Sequence, residues 1–511
     1  MIHALVAVAS LGLVSLAFHP FDWWWLGWFA FVPWMAYHQK AKRRGTGRAL
    51  MLAYYLHYAY VLQWVGEVAP PAVWAIPLLG MPVAWLCAWI CDRCVYRLGM
   101  SGLVVYPLAI VSAEFLRDQY LGLTWSSIGY TQWRWLEGVQ SAAIFRVHLL
   151  SWSVLLANAA LAGLILRPRE RSSHVGLAVA LAVLVVLHVG GALRLTTVLE
   201  EGPLAVGVQG NIDQVMKETG SRKKAWEAQH DVFDGRKTGV DPDLLVFAET
   251  SFHPVTGQVQ LGRLLADPEW GGWLPRGRRQ ATVLGYNDYS GERERNVAGV
   301  VVEGKQIATY AKRVLVPMGE YIPEWTPFRD WFEGQVQERG GYRPRMEPGD
   351  AFVSAPLESG PRSTRFGLNI CYEMVFPGEF LGLMREHDPD FVVNISNDGW
   401  YGDSNELDLV HIAGRFRAVE CGRSLFRVSN TGISTSIDPL GRFRATVNEG
   451  AERKGVKGLL VDRVQLLSGT TPWVWGGDIL PAILPLALVA LAGRSLRRRR
   501  APGFQTQPPS R

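Results

Sequence analysis

The stretch FGLNICYE, residues 366–373, decides how the middle of the chain folds. In a β-strand, successive side chains point to opposite faces, so Phe366, Leu368 and Ile370 share one apolar face. The strand then ends at Cys371. It therefore places a thiol on the turn that follows a buried strand.

Similar short runs rich in β-branched residues recur along this part of the chain, with helical stretches between them. The alternation predicts an α/β domain over residues 202–466. The helix predicted at 405–420 has apolar residues at three- and four-residue steps, so one face should pack on a sheet. The other helices are predicted at 214–230 and 377–386, and the other strands at LAVGVQ (204–209), LLVFAE (244–249), TVLGY (282–286), VAGVVV (297–302), FVVNIS (391–396) and LFRVSN (425–430).

Outside this domain the sequence is strongly apolar. The chain has 511 residues, of which 49% are hydrophobic, and eight apolar stretches approach the roughly 20 residues that a helix needs to cross a bilayer. They predict a membrane α-helical bundle of about eight transmembrane helices. Its parts are a seven-helix region over residues 1–200, an eighth helix at 473–493 and a basic tail at 494–511. The stretches of the first region are 3–18, 23–39, 49–66, 72–91, 101–118, 141–166 and 174–195.

Basic residues cluster beside every second apolar stretch. The formal net charge is +6, and the positive excess lies in these clusters rather than along the inserted domain, so nucleic acid is not a predicted partner. Positively charged loops remain on the cytoplasmic side. Both termini are therefore predicted to be cytoplasmic and residues 202–466 extracytoplasmic. The clusters lie at 40–48, 92–97, 167–171 and 494–511.

Three reactive side chains follow predicted strands. Glu249 ends LLVFAE, Lys312 follows the strand-like QIATYA, and Cys371 ends FGLNIC. Taken singly, a charged residue is usually solvated and a cysteine is usually a small buried apolar residue. Together, at strand ends of one sheet domain, they supply a base, a cation and a nucleophile.

The sequence has no motif for a metal ion or an organic cofactor. HExxH, Walker-type and dinucleotide-binding patterns do not occur in it. Cys91 and Cys94 form a CxxC without a second ligand pair, in an apolar stretch, and are interpreted as buried small residues. We expect no metal and no cofactor.

A set of motifs carries a family resemblance. Glu249 is followed by Lys312 within YxKxxLVPxGEYxP, by Cys371 within CYE, and then by ISNDGWYG (395–402) and RFRAVECGR (415–423). This order resembles the nitrilase-like carbon–nitrogen hydrolase superfamily, which implies an α-β-β-α sandwich. With the apolar stretches, residues 1 to about 493 resemble the bacterial apolipoprotein N-acyltransferases. FAETSF around Glu249 departs from the pattern, which has a proline before the glutamate.

The resemblance implies a two-step acyl transfer in the bacterial inner membrane. Cys371 would take a fatty acyl chain from a phospholipid as a thioester. It would then pass the chain to the α-amine of the diacylglyceryl-cysteine of an apolipoprotein. Glu249 would act as the base and Lys312 would stabilise the oxyanion, in a catalytic domain that faces the periplasm.

The resemblance also marks residues around this triad. Glu320 and Glu373 match acidic positions of the family that would orient Lys312 or a proton path. The run NISNDGW contributes candidate site-shaping residues, although such residues are also ordinary turn formers. These candidates are Asn394, Asn397, Asp398 and Trp400.

The sequence leaves two alternative functions open. A membrane-anchored amidase or nitrilase would use the same residues and give its acyl group to water. A scaffold or transporter with a non-catalytic domain would not use them at all. Cys371 and Cys421 are expected to be free thiols because a disulfide would disable the nucleophile, and a monomer is expected.

Overall fold

A computed structural model describes residues 2–41, 46–213, 222–233, 239–275, 277, 280–324, 326, 329–340, 344–358 and 363–500. The chain divides into two compact units. The first comprises Met1–Gln63, Pro71–Leu195 and Gly476–Arg511, and the second comprises Trp64–Pro70 and Thr196–Trp475.

The first unit is helical. Four of its helices are long and apolar enough to cross a membrane, namely Ala72–Arg97, Val147–Leu166, Arg171–Arg194 and Ile479–Arg497, and Ile2–Leu16 is a shorter apolar helix. The helical bundle predicted from the sequence is therefore confirmed, with four candidate spans among the described residues where about eight were predicted. The remaining α-helices are Val32–Ala41, Thr46–Val61, Gly102–Leu121, Leu136–Val139 and Ala142–Phe145, with 3-10 turns at Trp24–Trp28, Gln63–Glu67, Thr124–Ser126 and Ile128–Gln132.

Several predicted spans differ from the helices observed. The stretch 23–39 is not one helix but a 3-10 turn followed by Val32–Ala41, whose 10 residues extend only about 15 Å. The helix predicted at 141–166 begins at Val147, because Arg146 has φ of 57° and interrupts the helical path. Hydropathy does not register such breaks.

The last helix also begins later than predicted. It spans Ile479–Arg500, whereas the prediction started at residue 473. Trp473 belongs instead to a short helix, Pro472–Gly476, and is completely buried. Of the predicted basic tail, residues 501–511 lie outside the described part of the chain, as do residues 42–45 of the first basic cluster.

The second unit contains two six-stranded sheets. The first has the order β12-β1-β2-β3-β4-β5 and the second β11-β10-β9-β8-β7-β6. The strands are β1 (Glu200–Gln209), β2 (Leu244–Phe247), β3 (Ala281–Asp288), β4 (Arg295–Val302), β5 (Lys305–Ala311), β6 (Ser354–Leu357), β7 (Thr364–Ile370), β8 (Phe391–Ser396), β9 (Ser424–Ser429), β10 (Thr435–Ile437), β11 (Phe443–Thr446) and β12 (Gly458–Leu466).

The two sheets pack face to face with helices outside them. Val246 of the first sheet and Phe366 and Phe426 of the second belong to one buried core cluster. On the outer face of the first sheet, Trp226 and Leu261 anchor two helices in a second cluster. This is the predicted α-β-β-α sandwich. Its helices are Arg222–Val232, Gln258–Ala266, Arg329–Gly340, Pro377–His387 and Glu406–Cys421.

Strand direction brings the ends of several strands to one edge. Strands β1, β2 and β3 are parallel, as are β7, β8 and β9. Two antiparallel pairings separate β3 from β5, so β5 runs in the direction of β3. Residues that follow β2 and β5 therefore emerge at the same edge of the first sheet.

The helices of this unit correct two predictions. The helix predicted at 214–230 begins at Arg222, and residues 214–221 lie outside the described part. The helix Glu406–Cys421 is buried along its whole length rather than on one face. Its Arg417 and Glu420, both fully buried, form an ion pair of 2.7 Å, which allows charged residues to lie where the apolar pattern predicts solvent.

Candidate active site

Cys371 follows β7 directly and opens a 3-10 turn. Its φ is 51°, in the left-handed region that non-glycine residues seldom occupy. The residue is only 7% exposed. Backbone strain of this kind is held by the surrounding structure and is characteristic of functional sites.

Glu249 lies just beyond the end of β2 and is buried. Its Oε2 accepts a hydrogen bond of 2.6 Å from the backbone N–H of Asn397. Its Oε1 accepts hydrogen bonds from the side chains of Asn296 and Lys312, the latter at 3.4 Å. Three donors therefore fix the carboxylate in one orientation.

Lys312 follows β5 and is almost completely buried, at 1% exposed. Its Nζ donates to Oε1 of Glu320 at 2.6 Å and to Oε1 of Glu249 at 3.4 Å. The other carboxylate oxygen of Glu320 accepts from the backbone N–H of Val316 at 2.8 Å. Glu320 thus contacts both the ammonium group of Lys312 and the loop that follows this residue.

Asn296, on β4, was not singled out from the sequence. Its Nδ2 donates to Glu249 and, at 3.3 Å, to Glu320. Its backbone carbonyl accepts from the N–H of Lys312 at 2.8 Å. The residue connects both acids with the lysine. The sequence feature that could have pointed to this residue is its position directly before the apolar run VAGVVV, where a polar amide enters a buried strand.

One cavity of about 50 Å³ joins these groups. The predicted residues that line it include the triad, one supporting acid and two site-shaping candidates. Val68, from the segment Trp64–Pro70, also lines it, and no sequence pattern pointed to that residue. The lining consists of Val68, Glu249, Lys312, Val316, Gly319, Glu320, Cys371, Asn397, Trp400 and Tyr401.

The electrostatics of the cavity favour a neutral thiol at rest. Burial raises the pKa of Cys371 well above its ordinary value, the charge of Glu249 raises it further, and the charge of Lys312 only partly opposes them. Burial opposes the charge of Lys312, but Glu249 and Glu320 outweigh it and raise its pKa. The sequence alone left open whether burial or the lysine would dominate for the thiol; burial does.

Glu373 contacts the site through the backbone. Its carboxylate accepts hydrogen bonds from the N–H groups of Ile370 (2.7 Å), Arg313 (2.6 Å) and Val314 (3.1 Å), and from the Tyr310 hydroxyl (2.8 Å). Burial raises its pKa to about 7, while the backbone hydrogen bonds act in the opposite direction. Glu373 therefore clamps the residues after Lys312 to the strand before Cys371, and does not orient the ammonium group directly.

The remaining candidates divide into two pairs. Asn397 and Trp400 line the cavity. Asn394 donates to Oδ1 of Asn369 at 2.7 Å, and Asp398 pairs with Arg427 at 2.7 Å. Neither of these last two lines the cavity described above, although Nδ2 of Asn394 also donates to the backbone carbonyl of Cys371 at 3.5 Å.

The state of the cysteines and the grouping of possible metal ligands can be described for the residues that the structure covers. All five cysteines are buried free thiols, Cys421 among them. Within the described ranges, no group of three or more His, Cys, Asp or Glu side chains could hold a metal ion. The cavity can thus provide a base, a cation and a nucleophile from its own side chains.

Two family models match the chain. The apolipoprotein N-acyltransferase N-terminal domain matches residues 10–160, and the carbon-nitrogen hydrolase model matches residues 280–466. Lys312 and Cys371 fall inside the second match. Glu249 falls outside it, so its place in the site comes from the geometry above.

Proteins named apolipoprotein N-acyltransferase are similar over most of the chain. The one from Bordetella bronchiseptica is 30% identical over 434 residues, which cover 76% of this chain and 72% of that protein. The one from Bradyrhizobium diazoefficiens is 28% identical over 532 residues, covering 98% and 96%. The one from Geobacter metallireducens is 29% identical over 523 residues, covering 97% and 95%.

Proposed function

The chain belongs to the apolipoprotein N-acyltransferase family, and we propose that it moves a fatty acyl chain from a membrane phospholipid to an apolipoprotein. The acceptor is the N-terminal α-amine of the diacylglyceryl-cysteine. The observation that carries the proposal is the single cavity lined by Glu249, Lys312 and Cys371. Family membership supports an acyltransferase that acts on lipoproteins. The phospholipid donor and the thioester intermediate are what we propose in addition.

The first half-reaction forms a thioester. Glu249 takes the proton of Cys371 as Sγ attacks the ester carbonyl of the phospholipid. The C–O bond then breaks, and the lysophospholipid leaves as an alcohol with that proton. A base is needed because burial raises the pKa of the thiol.

The second half-reaction passes the acyl group on. The α-amine attacks the thioester carbonyl, Glu249 takes a proton from the amine, and the C–S bond breaks. The proton returns to the Cys371 sulfur, so the enzyme is regenerated and the lipoprotein carries an amide. Nothing is oxidised or reduced in either step.

Lys312 stabilises the oxyanion of each tetrahedral intermediate. Its ammonium group is a compact charge held at 2.6 Å from Glu320, which keeps it in the cavity before substrate arrives. A preorganised charge of this kind in a water-poor site is typically worth about 10²–10³ in rate. Glu320 and Asn296 act here as positioning residues.

The proposed setting is the bacterial inner membrane. The four candidate spans and the family support membrane attachment. The basic clusters favour cytoplasmic termini and an extracytoplasmic catalytic domain.

Mass spectrometry of the purified full-length enzyme tests this function. After incubation with phospholipid, the peptide that contains Cys371 should gain the mass of one acyl chain. Addition of a diacylglyceryl peptide should then discharge the label into an amide. A membrane-anchored hydrolase would release free fatty acid instead.

Two variants control the measurement. Cys371→Ala should take up no label. Cys421→Ala removes the other buried cysteine of this unit and should be labelled as the wild type is. Label that persists in Cys371→Ala, or an acyl-enzyme that discharges only to water, would contradict the proposal.

A further inference from the structure

The segment Trp64–Pro70, which we call the strap, lies between two helices of the first unit but belongs to the second. It connects Thr46–Val61 with Ala72–Asp92. Because it ends 130 residues before β1, the strand nearest to it along the chain, nothing in the local sequence relates it to the proposed catalytic cavity. The segment nevertheless packs with the second unit, and its contacts there indicate what it does.

An aromatic contact links the strap to the site. The ring of Trp64 meets the ring of Tyr401 edge to face, with centroids 5.2 Å apart and an interplanar angle of 90°. Both residues are 5% exposed. Tyr401 itself lines the cavity, so this contact joins the strap to the wall of the site.

Backbone hydrogen bonds within the strap fix the position of Val68. The N–H groups of Val68 and Ala69 donate to the carbonyl of Val65, at 3.1 and 2.8 Å. This closes the turn that begins at Gln63. Val68 is thereby fixed on the cavity, where it lies among the lining residues with Cys371.

The cavity is too small for a fatty acyl chain. Its volume is only about 50 Å³, which is room for a few small groups beside the thiol but not for the length of a whole fatty chain. The thioester carbonyl is bonded to Sγ of Cys371, so only the first carbons of the chain fit beside it. The rest must leave along the apolar part of the lining, which Val68, Val316, Trp400 and Tyr401 form.

We propose that Val68 is a specificity residue, against which the carbons next to the thioester carbonyl pack. This inference rests on the proposed function, since it requires an acyl group on Cys371. Val68 sets the width of the acyl group that the cavity accepts close to the carbonyl. A straight chain passes this residue, and a chain with a methyl branch beside the carbonyl meets its side chain.

A pair of phospholipid donors tests the inference with the full-length enzyme. One carries palmitoyl chains and the other 2-methylpalmitoyl chains, and acyl-Cys371 is quantified by mass spectrometry. Val68→Ala should raise the ratio of branched to straight acylation by about tenfold or more, since a methyl group in an apolar pocket is worth about 10–200-fold. Val68→Trp should suppress acylation by the straight donor.

Val65 offers a matched control, because it lies on the same turn and does not line the cavity. Val65→Ala and Val65→Trp should keep the wild-type ratio. Alkylation of Cys371 by iodoacetamide shows that each variant retains a folded site. An unchanged ratio in Val68→Ala, or an equal change in Val65→Ala, overturns the role of Val68 while thioester formation by the wild type still stands. If the wild type forms no thioester from the straight donor, the proposed function fails and this inference fails with it.

Discussion

In the proposed mechanism, the charge of Glu249 has opposite effects on two reactions of Cys371. As a base it would assist attack on a carbonyl, but as a nearby anion it raises the pKa of the thiol. The two effects can be separated because alkylation by a small electrophile needs only the thiolate. This makes the role of the acid testable without a lipid acceptor.

We predict that Glu249→Gln lowers acyl transfer by about 10²–10⁴-fold, the usual contribution of a general base. The same change should increase the rate of Cys371 alkylation by iodoacetamide at pH 8 to 9, because the thiol loses an anionic neighbour and its pKa falls. Single-turnover acylation and alkylation rates measured on the same preparation check both effects.

Glu269→Gln is the control for this prediction. The Glu269 side chain is 63% exposed and pairs with Lys223 at the surface. Neither rate should change in that variant. A parallel fall of both rates in Glu249→Gln would instead indicate general damage to the site.

Strand ends explain which site residues could be predicted. Glu249, Lys312 and Cys371 each follow a strand, and such positions can be identified without knowing which strands are neighbours. Asn296 and Val68 could not be found in this way. Asn296 lies within the sheet, and Val68 reaches the cavity only through tertiary folding.

At the scale of elements, the helix Glu406–Cys421 shows how a buried ion pair changes an apolar pattern. Arg417 donates to Glu420 at 2.7 Å and to the carbonyl of Val375 at 3.3 Å. Both charged side chains are fully buried. Their burial costs desolvation energy, which the ion pair helps to offset.

We predict that Arg417→Met destabilises the second unit by about 3–5 kcal/mol, because it leaves the Glu420 carboxylate buried without the guanidinium. The double variant Arg417→Met with Glu420→Leu should recover most of this loss. Urea unfolding of the purified full chain measures both. Lys223→Met, which breaks an exposed pair, should leave the unfolding midpoint where it is.

The strands that the sequence did not predict are those with the weakest local pattern of apolar and polar residues. Strands β10 and β11 have three and four residues, which is too short for a clear alternation. Strand β12 lies more than 240 residues from its partner β1, so only the folded sheet reveals the pairing. The long buried strands β7 and β8 were predicted because they are apolar along most of their length.

At the scale of the whole molecule, the basic clusters predict how the protein is oriented in the membrane, with cytoplasmic termini and an extracytoplasmic second unit. All five native cysteines are buried, so surface labels react little with the wild type. Asp403, whose side chain is 87% exposed, belongs to the catalytic unit, and Arg169 belongs to a basic cluster. If the predicted orientation is right, cysteines introduced at these two positions lie on opposite sides of the membrane.

We predict that Asp403→Cys in intact spheroplasts reacts with a membrane-impermeant maleimide and that Arg169→Cys does not. Permeabilisation should make Arg169→Cys reactive. Mass shifts on gels measure the labelling. The reverse pattern would place the catalytic unit in the cytoplasm and remove its access to periplasmic apolipoproteins.

The strap also decides which truncations can work. A gene fragment that starts at Thr196 would encode both sheets and every residue of the triad, yet it would lack Trp64 and Val68. Tyr401 would lose its aromatic neighbour, and one wall of the cavity would open to water. We therefore expect a soluble fragment of the second unit to need the Trp64–Pro70 peptide grafted back onto it, since a deletion that starts the chain at Thr196 removes a residue that lines the proposed active site.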